Sequence, residues 1–246
     1  MEFRRIHLDQ VDSTNNYAAK WLRMTKSVSA TVITTSFQTH GKGQRAKSWE
    51  SQPSENLLAT FVLSPQSPIS EALFTLNKCI ANAVLKVVHS LIPEHPSIKI
   101  KWPNDIWVGN KKIAGILIEN QWRGSSITST IIGIGINVNQ TKALLSTATS
   151  MRMETGRIIS VDMVLQQLIQ SIQREMEIQS NSSIENVHSF YKNSILGLHQ
   201  KIRYQKENEI LAGEILDVNE LGQLLINTEN QEILKFNHGE IVLIYD

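Results

Sequence analysis

Apolar positions recur with two different periods along this chain, and the switch between them divides it. Behind Asp12-Ser13, Tyr17, Ala18, Trp21 and Leu22 fall at helical spacing, with Ser13 or Asp12 available as the cap. Thr31 to Phe37 is β-branched and predicts a strand that runs into a glycine loop, His40 to Ala46. Asn56 to Leu63 predicts a second, apolar strand. A long helix follows, capped by Ser70, with Leu73, Leu76, Ile80, Val84, Val87 and Leu91 on one face. Pro93 stops it, with Pro96 beyond.

A strand-rich stretch comes next. Ile98 to Trp102 and Asp105 to Val108 flank Pro103, and Gly109-Asn110 makes a two-residue turn into Lys111 to Asn120. Gly124 turns the chain into Ser126 to Val138, and Ser160 caps a helix that carries Val161, Val164, Leu165, Leu168, Ile169 and Ile172 on one face. These patterns predict an α+β fold, a mixed but mainly antiparallel sheet with helices packed against it. The end of the chain is different. Lys201–Tyr204, Ile210–Leu216, Gln223–Asn227, Ile233–Lys235 and Ile241–Tyr245 read as five short strands, punctuated by Asn219, Gly222, Asn237 and Gly239. Such spacing predicts a small barrel that removes its open edges by closing. The expected division is residues 1–194 and 195–246.

Composition narrows the function classes. The 246 residues suit one large and one small domain, and a hydrophobic fraction of 41% with 19% charged residues excludes a disordered chain. Lys and Arg number 24 against 23 Asp and Glu, so the net charge of +1 lacks the basic excess of a dedicated nucleic-acid binder. Cys79 is the one cysteine, which rules out an intramolecular disulfide and a Cys-rich zinc site; in its apolar run it reads as a buried thiol. No apolar stretch follows the basic pair at the start. The longest apolar run, Ile131 to Val138, is far short of the roughly 18 residues of a spanning helix. The expectation is a cytoplasmic protein with no membrane partner. The histidines, His40 and His238 among them, show no metal spacing and read as surface or turn residues.

Four segments could carry chemistry. In Gln38-Thr39-His40-Gly41-Lys42-Gly43-Gln44-Arg45-Ala46-Lys47-Ser48-Trp49, alternate glycines let backbone amides approach an anion, and Lys42, Arg45 and Lys47 surround them. The same loop also reads as a solvated turn, and it is no P-loop. In Lys101-Trp102-Pro103-Asn104-Asp105, the Asn-Asp pair sits at a strand mouth, where a carboxylate can hold a metal-bound phosphate or simply cap a turn. In Lys111-Lys112-Ile113-Ala114-Gly115-Ile116, simple alternation puts Lys112 with Ala114 on one face and Ile113 with Gly115 on the other. Lys112 is then a site residue or an ordinary lysine beside a hairpin. In Ile132-Gly133-Ile134-Gly135-Ile136-Asn137, the glycines clear one strand face, and Asn137 shares their parity. That face packs closely against its neighbours or carries a flat ligand.

The order of these segments resembles the biotin protein ligases. Ser13-Thr14-Asn15, then Gln38 and the glycine loop, then Lys-Trp-Pro-Asn-Asp followed seven residues later by Lys-Ile-Ala-Gly-Ile-Leu, and last Gly-Ile-Gly-Ile-Asn-Val-Asn, match the family's succession. The resemblance implies a class II aminoacyl-tRNA synthetase/biotin ligase-like catalytic domain and a small C-terminal SH3-like barrel. It implies synthesis of biotinyl-5′-adenylate from biotin and MgATP, then transfer of biotin to a lysine of the biotin carboxyl carrier domain of acetyl-CoA carboxylase. Biotin is then substrate and MgATP co-substrate, with no permanently bound cofactor. The expected state is monomer or homodimer.

Carried onto this sequence, the resemblance gives Ser13, Thr14, Asn15 and Gln38 to biotin's ring and ureido group, with Gly115 beside it. Lys42, Gly43 and Gln44 form the loop over biotin and adenylate, and Lys112 is the catalytic residue at the carboxylate and α-phosphate. Arg45, Trp49, Asn104, Asp105 and Asn137 serve the nucleotide end, Asp105 also being the magnesium ligand. Lys42 and Gln44 stand where the family's loop commonly has arginine, and Ala46 where it has glycine, so bidentate donors are fewer here. The rivals are a lipoate protein ligase, whose early Arg-Arg-x-x-Gly-Gly-Gly-like segment is missing, a biotin-binding module without catalysis, and a biotin-operon repressor. For the repressor, Ser13 lies too near the start to leave room for a winged helix. No DNA partner is expected.

Overall fold

The computed structural model describes residues 2–25, 29–64, 70–95, 97–141, 147–180 and 184–245, with the side chains of residues 46, 70–73, 179 and 180 excepted. The Ser70 cap, the Leu73 side chain and Pro96 therefore lie outside the described residues.

The chain opens with a strand that the sequence pattern did not announce. β1 (Arg4–Val11) pairs in parallel with β2 (Thr31–Gln38), and α1 (Thr14–Met24) connects them. β1 is an edge strand with one half-buried side, so Ile6 and Leu8 among charged residues suffice for it. The rest of the sheet is antiparallel. β3 (Leu57–Leu63), β4 (Ile98–Lys101), β5 (Asp105–Val108), β6 (Lys111–Arg123) and β7 (Ser126–Ile136) complete the order β1-β2-β3-β7-β6-β5-β4. Gly109, at φ +55°, makes the expected tight turn between β5 and β6.

The two sheet faces are covered unequally. α2 (Ser70–Leu91) and α4 (Val161–Ser180) bury the face bearing Leu57, Phe61, Ile132 and Ile136. The short α3 (Met151–Thr155) and α5 (Ile184–Asn193) were not anticipated. On the opposite face α1 packs Ala18 against Ile33, Val62 and Ile131 and reaches no further. The remainder of that face carries Gly115, Gly133 and Gly135 in the central strands β6 and β7. The three glycines make a floor without side chains of its own at the start of α1.

Two local expectations change. Ser13 is the N-cap of α1 by backbone geometry but makes no side-chain capping bond. Asp12 accepts instead from the Ser13 amide and from Asn16 Nδ2. The second change concerns Lys112. Trp107 pairs with Lys112 and Ile106 with Ala114, so Ile113 is the extra residue of a β-bulge. Alternation fails across a bulge, and Lys112 turns to the face of Gly115, where its Nζ would lie 3.0 Å from a β-carbon at that glycine. The predicted separation of Lys112 from Gly115 is thereby corrected.

The remaining strands are β8 (Lys201–Lys206), β9 (Glu209–Val218), β10 (Leu224–Thr228), β11 (Ile233–Phe236) and β12 (Val242–Ile244). They form an antiparallel sheet in the order β11-β10-β9-β8-β12. Among the described residues no pairing joins β11 to β12, so the hydrogen-bonded sheet is open. Its buried residues Tyr204, Ile215, Leu224 and Ile226 belong to the same hydrophobic core as the larger sheet. Trp102 Nε1 donates to the Gly222 carbonyl at 3.0 Å, and Leu196 N donates to the Ile100 carbonyl at 2.8 Å.

Candidate active site

A cavity of about 50 Å³ opens over the glycine floor. Ser13, Thr14, Asn15, Gln38, Lys42, Gly43, Trp49, Asn104, Asp105, Lys112 and Gly115 all line it, together with Gly133 and Gly135. Residues more than 100 positions apart in sequence thus meet on one sheet face.

One end of the cavity is lined by uncharged, tightly bonded side chains, with the Glu119 carboxylate behind them. Ser13, Thr14 and Asn15 are buried at the start of α1. Gln38 Oε1 accepts from the Thr14 amide at 2.8 Å and from its hydroxyl at 3.1 Å. Thr60, fully buried on β3, has its hydroxyl 2.7 Å from both Thr14 Oγ1 and Asn15 Oδ1. Asn15 Nδ2 donates to Glu119 Oε2 at 2.7 Å, and Asn15 Oδ1 sits against Gly133, where a side chain would overlap it. Thr60 and Glu119 escaped the sequence reading. A threonine in an apolar strand was the one available signal for the first, and strand pairing alone brings the second to Asn15.

The other end is charged. Lys112 Nζ lies 2.8 Å from Asp105 Oδ1 and 5.4 Å from the centre of the Trp49 ring. The Lys112 backbone is held on both sides, donating to the Thr147 carbonyl at 2.7 Å and accepting from Thr149 N at 2.9 Å. Asn137 sits behind this strap rather than in the cavity: it is buried, and its Nδ2 donates to the Thr149 carbonyl at 2.9 Å. Asn104 Nδ2 donates to the Ile116 carbonyl, which ties the Pro103 turn to β6. Lys101 stands nearby with its Nζ 4.0 Å from the Trp107 ring centre and 5.0 Å from that of Tyr245. Burial pulls its pKa below the ordinary lysine range, against the pull of Asp105 and with the push of Lys112 and Lys47.

Trp49 fills the middle. Its indole lies across Gly115 and Gly135, with Cζ2 2.6 Å from where a β-carbon at Gly135 would stand. Trp49 Nε1 is buried and has no hydrogen-bond partner among the described residues. The glycine loop supplies the wall: Trp49 N donates to Gly41 O at 2.9 Å and Gly43 N to Lys47 O at 2.7 Å. Gln44 faces a neighbouring pocket with Asn77, Pro103 and Asn104. Arg45 leaves the cavity altogether. Its guanidinium donates to the Gly239 carbonyl at 2.9 Å and to the His238 carbonyl, clasping a turn of the C-terminal sheet. His238 stands edge-on to Trp102, with ring centres 5.8 Å apart.

Residues 8–137 match the biotin/lipoate A/B protein ligase family. The chain belongs to that family. It is 30% identical to the bifunctional ligase/repressor BirA of Bacillus subtilis (strain 168), over 97% of this chain and 73% of the relative. It is 34% identical to the biotin--[acetyl-CoA-carboxylase] ligase of Paracoccus denitrificans over 53% of each chain. The biotin protein ligase of Aquifex aeolicus, solved in complex with biotin and ATP, superposes with a TM-score of 0.81 at 28% identity, covering 99% of both chains. Within this biotin/lipoate ligase the matched span covers the cavity floor, both of its ends and the glycine loop. The C-terminal sheet, whose turn Arg45 clasps, lies beyond that span.

No helix is long and apolar enough to cross a membrane among the described residues. Cys79 is buried in α2, and desolvation raises its pKa to about 12, so it is a packed, neutral thiol.

Proposed function

We propose that this chain is an ATP-dependent biotin protein ligase acting on the biotin carboxyl carrier domain of acetyl-CoA carboxylase. The observation that carries the reading is the glycine floor, suspended between a neutral hydrogen-bonding end and the Lys112–Asp105 end. A flat, uncharged ring with an acidic tail fits that polarity. Biotin's ureido ring would lie toward Ser13, Thr14, Asn15 and Gln38, and its carboxylate toward Lys112.

In the first step a carboxylate oxygen of biotin attacks the α-phosphorus of ATP. A mixed anhydride, biotinyl-5′-adenylate, forms and pyrophosphate leaves. Two unit negative charges about 4 Å apart repel by roughly 4 kcal/mol at an effective dielectric near 20. Lys112 offsets that repulsion, and its strapped backbone keeps the ammonium at the reacting end. In the second step the amine of the carrier lysine attacks the acyl carbon. An amide bond forms, AMP leaves, and the amine's proton is lost to solvent.

Among the described residues no group of three His, Cys, Asp or Glu side chains gathers as a metal cage. A single carboxylate beside a lysine suits magnesium carried in on the triphosphate, for which Asp105 would be the protein's ligand. When bound, the ion supplies neutralisation of phosphate charge.

The Trp49 indole occupies the glycine floor, lying across Gly115 and Gly135. Ligand entry therefore requires the Trp49 indole to leave the glycine floor. From there it can pack against the adenylate, with Lys42, Gly43 and Gln44 closing over both. Arg45, Asn104 and Asn137 serve the nucleotide end from positions that tie the loop, the Pro103 turn and the Lys112 strap in place. We further read residues 1–194 as the catalytic unit and 195–246 as an SH3-like barrel, supported by the inward burial of Tyr204, Ile215, Leu224, Ile226 and Leu243.

The test is mass spectrometry of a carrier domain incubated with the protein, MgATP and biotin, with lipoate in a parallel tube. The expected result is one biotin added to one lysine and no lipoylation. Lipoylation without biotinylation would overturn the reading.

A further inference from the structure

Asn15 is fixed at both ends of its side-chain amide, but its two partners differ in kind. Thr60 offers a hydroxyl, which can donate to an amide oxygen or accept from an amide nitrogen. Glu119 offers a carboxylate, which when ionised can only accept. Thr60 therefore tolerates either orientation of the Asn15 amide, and Glu119 permits one. With the nitrogen drawn to Glu119 at 2.7 Å, the oxygen faces Thr60 and lies against Gly133, on the cavity floor. Were the amide reversed, an N–H donor would face the ligand instead.

From this we infer that Glu119 is a positioning residue that sets substrate specificity by holding the Asn15 amide acceptor-side to the cavity. The ligand class it selects carries a ring N–H, as a ureido or lactam does. A dithiolane offers no N–H and gains nothing from the arrangement. This inference rests on the proposed biotin ligase activity. It adds a residue outside the cavity lining that governs which ring the cavity accepts.

The experiment compares wild type with Glu119→Ala and Glu119→Gln in an adenylate-formation assay, with thermal midpoints measured alongside. Loss of one such selected contact is expected to raise the KM for biotin about tenfold in Glu119→Ala, near the effect of one charge-assisted hydrogen bond. The KM for ATP and the kcat should stay within about twofold, and inhibition by lipoate should not change. Glu119→Gln, whose amide accepts or donates as Thr60 does, should fall between the two at about threefold. The Asn15 side-chain amide resonances should shift in both variants. An unchanged biotin KM in Glu119→Ala would overturn the inference, as would equal rises for biotin and ATP, or identical behaviour of the Ala and Gln variants. If wild type forms no biotinyl-adenylate at all, the ligase reading fails first and independently.

Discussion

The two ends of the cavity are built on opposite principles. At the Asn15 end, Thr14, Gln38, Thr60 and Glu119 are linked through hydrogen bonds on rigid elements, and every member is at least half-buried. At the Lys112 end, the polar groups are charged, partly exposed and flanked by a loop whose Arg45 has φ +54°. The first suits a neutral ring, whose donors and acceptors must be met one by one. The second suits charge that grows during reaction, where a cation already held at the reacting end stabilises that charge without reorganisation. A substrate with one neutral and one ionised end is read by both together.

Lys112→Ala should sharpen the contrast most. Removing the cation is expected to slow adenylate formation by about 10²–10³-fold, as for loss of a group that stabilises developing charge. Biotin affinity measured without ATP should fall far less. A variant that formed adenylate at the wild-type rate would end the case for a charged reacting end. Gly135→Ala comes next. Its β-carbon would stand 2.8 Å from Trp49 Nε1, so indole and methyl cannot share the floor. Weakening of biotin binding by about 1–3 kcal/mol, the usual penalty for overpacking, should be seen by titration calorimetry, with the fold retained. Unimpaired binding would mean that the ligand does not lie on that strand.

The smallest expected effect concerns pH at the charged end. His238 is exposed overall, yet its ring packs against Trp102, and this local desolvation, followed by Arg45 beside it, holds its pKa below the ordinary histidine value. Because the folded pKa lies below the unfolded one, the unfolded chain binds more protons between the two values. Stability should therefore rise with pH through that window and be fully present above the unfolded pKa near 6.5. It should be lost as pH falls toward the folded pKa. His238→Gln should flatten this part of a melting-temperature profile, at and below the ordinary histidine pKa near 6.5. An unaltered slope would show that the turn clasped by Arg45 carries no such load.

Much of this architecture was legible in advance because it follows local rules. Periodicity marked α1, β2, β3, α2 and the β5–β6 hairpin, and the short C-terminal strands matched their turn residues. It missed β1, whose sparse apolar positions satisfy one half-covered face, and α3, which is only five residues long. The site residues were found by the order of motifs, and most of them do converge on one cavity. Arg45, Gln44 and Asn137 were chosen by the same rule yet stand outside it, since neighbours in sequence need not share a surface.

The sequence by itself marked most of the residues that line the cavity and roughly which elements hold them, since glycine, lysine and carboxylate have the same capacities wherever they fall. Only the tertiary structure decided their direction. The bulge at Ile113 turns Lys112 onto the glycine floor that alternation had placed behind it. The pairing of β6 with β7, and the seating of α1 on that sheet, bring Glu119 to Asn15 across 104 positions. Both depend on strand register, which is set by the packing of whole faces and leaves no mark on any single residue.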